Sequence, residues 1–75
     1  MTEQNALRLA DQTIQYLRRH NVIRALWLHG DELVRTPNAD QAMQNMLQEG
    51  FVLVGVFRYQ IERQDLADAI MAASA

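Results

Sequence analysis

Phe51-Val52-Leu53-Val54-Gly55-Val56-Phe57 is a run of seven residues without one polar side chain, bounded by Gly50 and Arg58. A strand with water on one face alternates apolar and polar positions, because successive side chains point to opposite faces. This run does not alternate. It is expected to be extended and apolar on both faces, so that something must cover each. In a chain of 75 residues that demand shapes the architecture and points to a partner.

The length allows one small domain, 1–75, near the lower limit for a self-sufficient core. There is no cysteine, hence no disulfide staple and no thiolate site. Small folds without staples or metals often gain buried area by oligomerising, so a homodimer is expected. The formal charge is −2, unlike the basic balance of an indiscriminate polyanion binder. All seven cations are arginine. A GC-rich coding sequence is the simplest reading of that bias, and it fits a bacterial or phage origin. Arginine also suits bidentate contact with carboxylate or phosphate.

No stretch approaches the ~20 apolar residues needed to cross a bilayer. The start, Met-Thr-Glu-Gln-Asn, lacks the features of a secretory signal. A cytoplasmic protein with no membrane association is the expectation. No repeat or linker divides the chain.

Working outward, Thr2 to Arg19 reads as a helix. Thr2 caps it, Leu7, Ala10, Ile14 and Leu17 form the apolar side with Ala6 and Thr13 beside them, and Asn21 offers a left-handed end. Val22 to Thr36 reads as a hairpin, Ile23–Leu28 and Glu32–Thr36, turning at Gly30-Asp31 in a type II′ loop. That register pairs His29 with Glu32, Leu28 with Leu33, Trp27 with Val34 and Leu26 with Arg35. A helix competes over the same residues, since Ile23, Leu26, Trp27, Leu33 and Val34 also fall near period 3.6. Pro37 ends this segment. Asn38 is expected to cap a helix over Ala39 to Glu49, with Ala39, Ala42, Met43, Met46 and Leu47 on its apolar side and Gly50 at its end. A third strand is expected from Phe51 to about Ile61, then a helix from Arg63 to Ala73 presenting Leu66, Ala67, Ile70 and Met71.

The resulting class is α+β: an α-β-β-α-β-α chain with a small three-stranded mixed sheet and helices packed on it, expected to be completed by dimerisation. The second and third strands run parallel through a βαβ crossover. Placing the first strand between them (order 2-1-3) suits its Ala-Leu-Trp-Leu core, and leaves the third on an edge. An apolar edge is a liability unless paired; pairing with a second copy would give six strands.

Chemical equipment is sparse. His29, Asp31 and Glu32 could contribute to a metal site, but with two histidines and no cysteine they read as a solvated turn. Ser74, Thr13 and Thr36 have no histidine nearby in sequence to activate them. No glycine-rich phosphate loop is present. Neither catalytic residue, metal nor cofactor is assigned. Arg24, Arg35 and Arg58 lie towards the strand ends and could form a rim for an anion or nucleic acid; pairing with Asp40, Glu49, Glu62 or Asp65 is the simpler expectation. Tyr59 could stack on a base, although packing is the commoner use of a lone aromatic. Met43, Met46 and Met71 suit either core filling or an adaptable surface.

These features favour a small, non-catalytic interaction or regulatory protein that binds protein, its own copy first and a larger protein second. Phe51, Leu53, Phe57 and Tyr59 are the candidate contact residues. A nucleic-acid-binding regulator using the arginine rim is the alternative, and a small-ligand sensor with a pocket between sheet and helices a further one.

Overall fold

The computed structural model describes residues 1–75. Its elements are α1 (Glu3–His20), β1 (Arg24–His29), β2 (Glu32–Thr36), α2 (Asp40–Gln48), β3 (Val52–Phe57) and α3 (Arg63–Ser74). Three helices and a three-stranded antiparallel sheet make a small α+β fold.

α1 starts where the Thr2 side chain accepts the Asn5 N–H at 3.1 Å, and ends at Asn21 in the left-handed region, φ 49. Its buried stripe is Ala6, Ala10, Thr13 and Leu17, with Leu7 and Ile14 only half-buried. Small side chains on that stripe let α1 lie close to α3, which buries Leu66, Ala67 and Ile70. The Arg63 guanidinium donates to the Asp11 carboxylate at 2.7 Å and links the two helices.

Val22–Thr36 forms the hairpin rather than the helix. Leu28 pairs with Leu33, Trp27 with Val34 and Leu26 with Arg35, and Gly30 adopts φ 62. β1 is hydrogen-bonded to β2 on one side and β3 on the other, antiparallel to both. The expected mixed sheet is therefore corrected. β2 and β3 do run in the same direction, but β1 separates them and no parallel pair forms.

Alternation along β1 sends Leu26 and Leu28 to one face, under α1 and α3, with Ala6, Ala10, Leu66, Ala67 and Ile70. Ala25 and Trp27 go to the other, under α2, where Met46 closes over them. Trp27 is fully buried, and its indole N–H donates to Thr36 Oγ1 at 3.0 Å.

Three local expectations fail. Asn38 does not cap α2; the N-cap is Ala39, with no side-chain hydrogen bond, and its N–H is turned back to the Pro37 carbonyl at 2.9 Å. β3 stops at Phe57, and Arg58–Glu62 is a connection into α3. α2 buries only Met46 of its expected apolar side, leaving Leu47 60% exposed. Its end is well formed: the Gly50 N–H donates to Leu47 and the Phe51 N–H to Met46, the crossed pair of a Schellman motif.

Candidate interaction surface on the third strand

β3 is extended, as its composition demands, yet it is not sandwiched. The strand buried on both faces is β1, whereas Val52, Leu53 and Val56 of β3 are 50%, 39% and 41% exposed. Lying outside β1, β3 also has one lateral edge with no strand beside it.

A bulge sets where its side chains go. Leu26 pairs with Gly55 and Trp27 with Leu53, so Val54 is the extra residue. Val54 and Phe57 pack on the core shared with α1 and α3. Val52, opposite Leu28, and Gly55, opposite Leu26, belong to that same face. The Phe57 ring covers Gly55: a Cβ there would stand 2.6 Å from the ring tip. Leu53 opposite Trp27 and Val56 opposite Ala25 point to the α2 face. Phe51 joins them, packed on the Trp27 cluster with its ring centroid 5.2 Å from that of His29.

Of the four candidate contact residues, Leu53 is open to solvent. Phe51 and Phe57 are half-buried in the two cores, and Tyr59 is half-buried with the Arg18 guanidinium 5.8 Å from its ring centroid. Val52 on the α1/α3 face, Val56 on the α2 face and Leu47 on α2 are also exposed, and composition does not single them out. Valines within an apolar run give no sign of facing water; only the bulge and the edge position do.

The arginines are distributed differently from the expected rim. Arg24 and Arg35 share the α1 face of the hairpin, while Arg58 follows β3 beside Asn21, Val22 and Ile23. None pairs with a carboxylate; Arg63–Asp11 is the sole ion pair. Arg35 instead lies 4.1 Å over the Tyr16 ring, whose centroid is 4.4 Å from that of His20. Gln12, Gln15, Tyr16, Arg19, His20 and Arg35 line a shallow cleft there with no acid in it.

No three His, Cys, Asp or Glu side chains converge on a point. His29, Asp31 and Glu32 are exposed at the hairpin tip. No helix is long and apolar enough to cross a membrane. Set beside protein-family models, curated proteins and solved structures, the chain matches none.

Proposed function

We infer that this chain is a small, non-catalytic interaction or regulatory domain, and that it associates with protein through the β3 edge. The observation that carries this reading is the coincidence of an unpaired strand edge with three exposed aliphatic side chains, Val52, Leu53 and Val56. Leu47 of α2 is a further exposed apolar side chain. An edge offers a row of free N–H and C=O groups that direct a second strand, and side chains beside it give area to bury. A second copy of the chain is the first partner, a homodimer, and a larger protein using the same edge is the second.

The test is mass in solution. Light scattering and native mass spectrometry from low to high micromolar concentration should show a concentration-dependent shift from one chain to two. A chain that stays monomeric throughout, and that retains no protein when used as bait, would overturn the reading.

The cleft of Tyr16, Arg19, His20 and Arg35 supports a second reading, contact with a nucleic-acid phosphate. Stacking on Tyr16 holds the Arg35 guanidinium in place without neutralising it. Gel retardation at low salt, lost in Arg35→Gln, is the expected result; absence of any retarded band would dispose of it.

A further inference from the structure

The faces of β3 follow an order that reads the same from either end. Val52 points to the α1/α3 side, Leu53 to the α2 side, Val54 and Gly55 both to the α1/α3 side, Val56 to the α2 side, and Phe57 to the α1/α3 side. The bulge creates this symmetry. A regular strand alternates strictly and is symmetric only about a residue. The doubled position at Val54-Gly55 moves the centre between two residues.

Two identical strands that pair antiparallel in one sheet are related by a two-fold axis perpendicular to it, and residues directly opposite share a face. Sliding β3 along its own copy, only one register satisfies that condition from end to end. It places Val54 opposite the partner's Gly55, Leu53 opposite the partner's Val56, and Val52 opposite the partner's Phe57. A shift of one residue in either direction sets side chains of opposite faces against each other, putting Leu53 across from either the partner's Gly55 or the partner's Phe57.

Resting on the reading of β3 as an association edge, we propose that the partner is a second copy of this chain, joined β3 to β3 about a two-fold axis between Val54 and Gly55. The exposed strand residues agree with this pairing: Val52, Leu53 and Val56 all lie in the paired segment. Charge agrees as well. Glu49 lies before β3 and Arg58 after it, and Arg58 has no carboxylate partner in its own chain. Antiparallel pairing brings each Arg58 towards the end of β3 that carries the partner's Glu49. Parallel pairing would set arginine beside arginine. The product is a six-stranded antiparallel sheet with four helices on one face and two on the other.

Because the chain has no cysteine, single-cysteine variants read the register directly. Leu53→Cys and Val56→Cys are oxidised with oxidised glutathione, each alone and as an equal mixture. The mixture should give disulfide-linked dimer. Each variant alone should give several-fold less, because like positions stand three residues apart along the strand, about 10 Å. Val56→Lys, at a position already 41% exposed, should remain folded by circular dichroism and become monomeric. Efficient linkage of Leu53→Cys or Val56→Cys to itself would overturn the register, as would a Val56→Lys dimer, while leaving self-association standing. A wild-type chain that is monomeric at high micromolar concentration would overturn the pairing itself.

Discussion

Replacing Gly55 by alanine is the most discriminating single change to the fold. Gly55 sits at φ 155, a region that side-chain-bearing residues rarely occupy, and a Cβ there would stand 2.6 Å from the tip of the Phe57 ring. The backbone share costs on the order of 1–3 kcal/mol. The ring can swing away only by disturbing its packing on the core that holds Leu26 and Leu66, a share of about 1 kcal/mol at the low end of overpacking. The total, about 2–4 kcal/mol, is a large part of the ~4–11 kcal/mol expected for a domain of this size. Urea unfolding followed by the fluorescence of Trp27, the one tryptophan, measures it. With a slope near 1 kcal/mol per M, the midpoint should fall by about 2–4 M. The same substitution in a Phe57→Ala background should cost about 1 kcal/mol less, because the ring is gone while the backbone share remains. A Gly55→Ala chain within about 0.5 kcal/mol of wild type refutes the bulge geometry; equal cost in both backgrounds refutes the contact.

Thr13 is fully buried and its hydroxyl has no hydrogen-bond partner, so Thr13→Val should raise stability by about 1 kcal/mol; a lower melting temperature would contradict that. Trp27→Phe removes a buried donor from Thr36 Oγ1 along with part of a large side chain, and should cost about 2–3 kcal/mol by chemical denaturation. Arg63→Gln breaks the Arg63–Asp11 pair, which is about half exposed on both sides, and should move stability by less than about 1 kcal/mol, with little salt dependence left to lose.

The register of the hairpin was legible because a two-residue loop at Gly30-Asp31 fixes every pair that follows, and that register is the one observed; periodicity alone left a helix in competition over the same residues. Thr2 and Gly50 were legible for a similar reason, since helix ends are set by local chemistry. The doubly buried strand was not. β1 and β3 are both apolar; the Ala-Leu-Trp-Leu core argues for β1 in the middle of the sheet, but composition alone does not show that side chains of β3 stay open to water. The bulge escapes notice because Val54 and Gly55 carry no polar signal, and pairing with Leu26 and Trp27 creates it. Asn38 is a good capping residue in isolation, but the Pro37 turn takes the chain into α2 one residue later. Arginine partners depend on which helix lies over which strand, so stacking of Arg35 on Tyr16 has no trace in residue spacing.

The two sides of the sheet are insulated unequally. One is roofed by α1 and α3, which together bury Ala6, Ala10, Leu66, Ala67 and Ile70 against it; the other by a nine-residue helix that contributes a single buried methionine and has no side-chain cap. Amide protons of α2 should therefore exchange with solvent earlier than those of either long helix, through a local opening that leaves the remainder folded. Each such breath would bare the indole of Trp27, so the dimmest-lit part of the interior is also the part that water reaches first.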